Sequence, residues 1–137
     1  SYSDDWVYIR TTGLGHHIMG PWYRNDEDTQ LFGNFPANIA AIYRFPRIPT
    51  GESVSYNITS GGAIGYFVDG VAMFDSRDAF SYINSLGIDG TPNGSNGRGD
   101  TIWNRDAYEN ESVTFDSANA HQASDTYHYH VNPPALR

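Results

Sequence analysis

Apolar and polar positions alternate along short stretches of this chain, and few stretches carry the wider spacing of a helix. "DDWVYIRTTG" (residues 4–13) is a run of aromatic and β-branched residues that stops at Gly13 and predicts a strand. "NIAAIYRFPRIP" (38–49) predicts a second; Pro46 and Pro49 exclude a helix interior. In "ESVSYNIT" (52–59), Val54, Tyr56 and Ile58 alternate with polar neighbours, the period of a half-buried strand, before Gly61-Gly62 breaks the run. "AIGYFVDGVAMFD" (63–75) predicts two short strands about an Asp69-Gly70 turn. "SVTFD" (112–116) and "TYHYHV" (126–131) predict two more.

Helix is scarce. In "SRDAFSYINSL" (76–86), Ala79, Phe80, Ile83 and Leu86 fall at helical spacings, and Gly87 is placed to cap the end. "NRDAYENE" (104–111) has room for one helical turn, and "GIDGTPNGSNGRGD" (87–100) is a Gly/Asn/Ser loop with no core pattern. Many short strands joined by turn-rich loops predict a mostly-β single domain over residues 1–137, a β-sandwich or barrel-like fold with one short helix and long loops.

Composition narrows the function. All eight basic residues are arginine, and sixteen acids give a formal net charge of −8. That balance argues against nucleic acid and anionic membrane as partners, since both select a positive surface. No apolar run approaches the roughly 20 residues of a membrane span. Cysteine is absent, which excludes disulfides and thiolate metal sites. From the acidic, lysine-free, aromatic-rich composition the protein is expected to be exported: secreted, extracellular or periplasmic.

The chemistry concentrates in the histidines. His128 and His130 lie two apart on the last predicted strand, so both project to one face, about 6.5–7 Å apart at the backbone. Two imidazoles at that spacing can converge on one ion; they can equally bond separate carbonyls. Tyr127 and Tyr129 then face the other way. His121, in "DSANAHQASD" (116–125), is expected on the loop entering that strand; His16 and His17 occupy a glycine-flanked loop, "GLGHHIMGPW" (13–22). If the first and last segments are neighbours, the candidate ligands are His128, His130, His121 and one of His16 or His17. Imidazoles without thiolate suit copper or zinc. Asp116 and Asp125 are candidates either as further ligands or as acceptors for the outer N–H groups of those imidazoles.

Taken together, "VDGVAMFDSRDAFSY", "IWNRDAY", "TFDSANAHQ" and "YHYHVNPPALR" resemble the bacterial YHYH-domain family over residues 68–137. The opening "VYIRTTGLGHHIMGPW" is similar to the start of longer members, over about 6–22. The resemblance implies an exported protein and brings no settled activity. Longer members continue past this C-terminal segment, so the chain is expected to be the N-terminal part of a longer protein. A missing C-terminal segment would leave an edge open to pairing with it or to self-association.

Other motifs carry less. Residues 89–100 partly match a calcium loop, with Asp89, Asn93 and Asp100 as ligand candidates and Gly94 at the sharp turn. Asp75, Arg77 and Asp78, like Arg105 and Asp106, are expected to fix loops. No Gly-x-Ser-x-Gly elbow or phosphate loop is present, and without lysine there is no Schiff base. The leading expectation is a histidine-centred transition-metal site, serving a mononuclear copper oxidoreductase on an extracellular substrate. The alternative is a non-catalytic structural or adhesive module of an extracellular filament or surface layer. A sugar-binding domain with stacked Trp6, Trp22, Tyr23 and Trp103 is a third.

Overall fold

The computed structural model describes residues 1–49, 51, 59, 61–79, 81–90, 100 and 104–136. Strand β1 (Trp6–Thr11) pairs antiparallel with β2 (Ala41–Pro46), Trp6 opposite Pro46 and Thr11 opposite Ala41. Burial alternates along β2 as a half-buried strand requires: Ala41, Tyr43 and Phe45 are sheltered between exposed neighbours. Tyr43 stacks on Tyr66 at 3.9 Å and Phe45 meets it edge-on at 5.8 Å, which seats this ribbon against the next element.

That element is a hairpin of β3 (Ala63–Tyr66) and β4 (Ala72–Phe74), as its alternation and Asp-Gly pair predict. Gly70 is required in the turn on two counts. Its φ is +83°, and a Cβ there would come within 2.4 Å of Thr11 Oγ1. The chain then forms a two-residue pair, β5 (Tyr82–Ile83) with β6 (Ile88–Asp89), and a short helix α1 (Ala107–Glu111) that runs into a 3-10 turn at Ser112–Thr114. It ends with β7 (Ala120–Ala123) and β8 (Thr126–Tyr129), followed by a second 3-10 turn at Pro134–Leu136.

Strands β3, β4, β8 and β7 form one sheet in that order. Strand β8 lies inside it, parallel to β4 and antiparallel to β7. Its alternate residues therefore serve two faces. Tyr127 and Tyr129, both 0% exposed, build the core with Trp22, Val71, Ala118 and Ala120, backed by Met19, Phe32, Phe67 and Leu136. Such side chains contribute roughly 1.5–3 kcal/mol each by burial. His128 and His130 look the other way.

The fold is mostly strand with little helix, as predicted, in several sheets and without a closed barrel among the described residues. Three expectations differ in detail. Residues 76–86 are not helical. The Asp75 side chain accepts from Arg77 N at 3.0 Å and its carbonyl from Asp78 N at 3.1 Å, so local bonds set a turn where the helix would start. The apolar stripe is also not one buried face: Ala79 is 1% exposed, but Leu86 is 56% exposed. Gly87 does adopt a positive φ, +67°, but it closes the β5–β6 turn. The one short helix falls instead within "NRDAYENE", capped by Asp106, whose carboxylate accepts from Glu109 N at 3.1 Å. "SVTFD" continues from that helix as a 3-10 turn, because Thr114 Oγ1 donates to the Glu111 carbonyl at 2.6 Å. The strand expected over 52–59 lies outside the described residues except for Thr59. No described helix is long and apolar enough to cross a membrane.

Candidate metal centre

His121 was expected on a loop; it lies on β7, directly opposite His128 across the β7–β8 hairpin. Residues paired across strands share a face, and His130 shares it by lying two residues beyond His128. The three imidazoles converge so that one ring nitrogen from each lies within 4.8 Å of the others. Aromatic walls fix them. Phe74 of β4 stacks on His128 at 3.8 Å, and Phe115 stacks on His130 at 5.5 Å while meeting His121 edge-on at 5.0 Å. His128 is 2% exposed and His130 8%.

Hydrogen-bond accounting fixes which nitrogens point inward. The Thr114 hydroxyl gives its proton to the Glu111 carbonyl, so its oxygen accepts from His121 Nδ1 at 2.7 Å. The Thr126 carbonyl can only accept, and does so from His128 Nδ1 at 3.1 Å. Both rings therefore carry their proton outside and turn a bare Nε2 into the cluster. His128 Nε2 lies 3.1 Å from His130 Nε2. The Glu111 carboxylate reaches in from the end of α1, with Oε2 3.6 Å from His121 Nε2 and 3.5 Å from His130 Nε2. Only His130 has a ring N–H left to place among these acceptors.

Electrostatics keep the rings neutral. Burial, reinforced by His128 and His130, pushes His121 down to about 2. Burial and then His130 bring His128 down to about 4, against the opposing pull of the Thr126 carbonyl and Asp78. His130 is lowered by burial, opposed by Asp78, the Asp75 main chain and Asp106. Neutral imidazole is the form that coordinates a metal.

A family model described as YHYH protein matches residues 42–137. The chain belongs to the YHYH protein family. The match reaches further toward the N-terminus than the resemblance over 68–137, and it includes His121, His128, His130 and Glu111. His16 and His17 precede it. Comparison with curated proteins and with solved structures gives no match.

In this YHYH domain the opening loop packs against the tyrosine face, so it brings neither His16 nor His17 to the cluster. His17 Nε2 lies 3.0 Å from the Tyr127 hydroxyl, and His16 is exposed. Asp116 serves the same face: its carboxylate accepts from the Tyr127 hydroxyl at 2.7 Å, Gly20 N at 2.9 Å, Ala118 N at 2.9 Å and Ala120 N at 3.3 Å. Asp125 is exposed in the β7–β8 turn. The places expected for these two carboxylates, on the outer nitrogens of the imidazoles, are taken by Thr114 and the Thr126 carbonyl. Tyr129 donates to Asp69 Oδ2 at 2.9 Å, and burial with that carboxylate pushes its phenol above the ordinary value.

Asp89 accepts from Arg105 Nε at 2.9 Å, and Asp100 accepts from Asn84 N at 3.0 Å and Asn84 Nδ2 at 2.7 Å. Asn93 and most of the calcium-like loop lie outside the described residues. Asp75 is held well below the usual carboxylate range by Arg77 and ties the turn after β4. Trp22 is buried, with Nε1 donating to the Ala120 carbonyl at 3.1 Å; Trp103 lies outside the described residues. Sequence reasoning missed Glu111 and Thr114. The Asp106–Glu109 spacing announces a helix start, but nothing local announces that its end meets β7.

Proposed function

We propose that this YHYH domain is a transition-metal-binding module in which His121, His128 and His130 hold zinc or copper through Nε2. One observation carries the reading: a ring nitrogen from each of the three histidines converges, and the Nε2 atoms of His121 and His128 are bare because their outer nitrogens are committed to Thr114 and Thr126. That is the arrangement that fixes tautomer and ring orientation in metal sites. Imidazole donors without thiolate suit these two metals. The acidic chain, with a net charge of −8, also favours cations near its surface.

The burial of His128 and His130 supports a held metal more than a catalytic one. A copper oxidoreductase needs an open coordination position and a path for substrate, whereas structural sites are closed by protein donors. A metal held here joins β7, β8 and the segment after β8 in one cross-link, which suits a non-catalytic extracellular module.

The test is elemental analysis of protein purified without a histidine tag, with melts in the presence and absence of chelator. About one zinc or copper per chain is expected, lost in His128→Ala. A ligand that binds only the native state at 100 times its Kd adds about 2.7 kcal/mol, which the chelator should remove. Protein that takes up neither metal on titration, and melts identically with chelator, overturns the reading.

A further inference from the structure

We infer that Glu111 is the fourth metal donor and that its carboxylate favours a divalent ion over copper(I). The inference rests on the three histidines being ligands. Two donors bound tetrahedrally to one ion at about 2.1 Å lie about 3.4 Å apart. His128 Nε2 to His130 Nε2 is 3.1 Å, Glu111 Oε2 to His130 Nε2 is 3.5 Å, and Glu111 Oε2 to His121 Nε2 is 3.6 Å. The carboxylate thus stands at ligand spacing from two imidazoles.

The contact with His121 cannot be a hydrogen bond with neutral imidazole. That nitrogen presents a lone pair, because the ring proton sits on Nδ1 with Thr114. A lone pair and a carboxylate oxygen face one another in a sheltered site, where the Glu111 side chain is 16% exposed. A cation between them turns that repulsion into attraction. Glu111 is also fixed from behind, since its own carbonyl accepts the hydroxyl of Thr114, the residue that orients His121. One residue therefore sets the outer nitrogen of His121 through its main chain and faces the inner nitrogen with its side chain.

Charge gives the selectivity. Three neutral imidazoles leave a divalent ion's full charge in a buried site, and one carboxylate halves it. Its attraction for a 2+ ion is twice that for a 1+ ion at the same distance. Carboxylate oxygen is also a poor donor for soft copper(I).

The experiment compares wild type, Glu111→Gln and Glu109→Gln, the last altering an exposed carboxylate of the same helix. Zinc and copper(I) affinities are measured by chelator competition, and cobalt(II)-loaded protein is followed by its visible spectrum. Zinc affinity is expected to fall at least the roughly 10-fold that loss of an outer partner costs, with copper(I) affinity changing less than about 3-fold. The cobalt band should move in Glu111→Gln and not in Glu109→Gln. If Glu111→Gln does not fold, Glu111→Asp should bind zinc more weakly than wild type with a displaced cobalt band. Wild type that binds zinc as tightly as Glu111→Gln, with the same cobalt spectrum, overturns the role of Glu111 alone. Wild type that binds no metal overturns the histidine reading with it.

Discussion

Metal-free protein should lose stability steeply as pH falls from 7 to 5. His121 and His128 are buried and neutral, with values pushed down to about 2 and about 4 from an ordinary 6.5. The unfolded chain therefore binds more protons than the native one in this window, and stability rises with pH. The contribution is fully present above 6.5 and is lost as pH falls through it toward the folded values. At pH 5 an unfolded histidine is almost wholly protonated, while any folded value at or below about 4 leaves the native ring nearly neutral. The loss between pH 7 and 5 is then about 2 kcal/mol per histidine and depends little on how far below 4 the folded value lies. Two such groups give about 4 kcal/mol, a large fraction of a domain's usual 5–15 kcal/mol. At this length that is a drop of roughly 12–20 °C in Tm. The assay is urea or thermal unfolding with chelator present, in steps from pH 8 to pH 5. His130, also lowered by burial, adds to the slope in the same direction, so His128→Gln should remove roughly a third to a half of it. Asp75 does not confuse the window, because a carboxylate held below its ordinary value loses its contribution only as pH falls below about 4. A change under about 1 kcal/mol between pH 7 and 5 refutes the picture of buried neutral rings.

Three further outcomes follow from the contacts. Asp116→Ala strands the Tyr127 hydroxyl and the amides of Gly20, Ala118 and Ala120, and should cost about 3 kcal/mol by urea unfolding, with Asp116→Asn milder. Thr114→Val removes the acceptor that orients His121 and should weaken zinc binding about 10–100-fold in chelator competition, with the fold intact by circular dichroism. Gly70→Ala, forced to a φ of +83° with its Cβ against Thr11, should lower stability by about 1–3 kcal/mol; an unchanged melt would show that the turn relaxes freely.

What was legible in the sequence was local. The β3–β4 hairpin announces itself through alternation and the Asp69-Gly70 pair, and the divergence of Tyr127 and Tyr129 from His128 and His130 follows from a period of two. Strand β7 was not legible because "AHQA" is four residues long and small at both ends, so it has no apolar run of its own. Its pairing with β8 through the Ser124-Asp125 turn decides where His121 goes. The helical spacing in 76–86 was a real signal that lost to the turn bonds of Asp75. Whether the opening loop meets the last strand is left open by the sequence; it does so on the side where His17 meets Tyr127. Side of a sheet is a property of tertiary packing, and the loop sequence does not encode it.

The family tetrapeptide gains a physical meaning from this arrangement. A strand buried on both faces must be held in register, because a slip of one residue exchanges the faces. In β8 that slip would place phenols among the acceptors of the histidine cluster and imidazoles in the apolar core. Each tyrosine opposes it with a directed bond to a buried carboxylate, Tyr127 to Asp116 and Tyr129 to Asp69. Those carboxylates are anchored in different segments: Asp116 also takes the Gly20 amide, and Asp69 takes the Val71 amide in the β3–β4 turn. The tyrosines therefore lock the position at which His128 faces His121, and the stack on Phe74 locks the ring within it. A metal site of useful affinity needs donors placed within about 0.5 Å by a supporting shell. In this strand the supporting shell and the proposed donors are neighbours in sequence, and the pleat alone separates them.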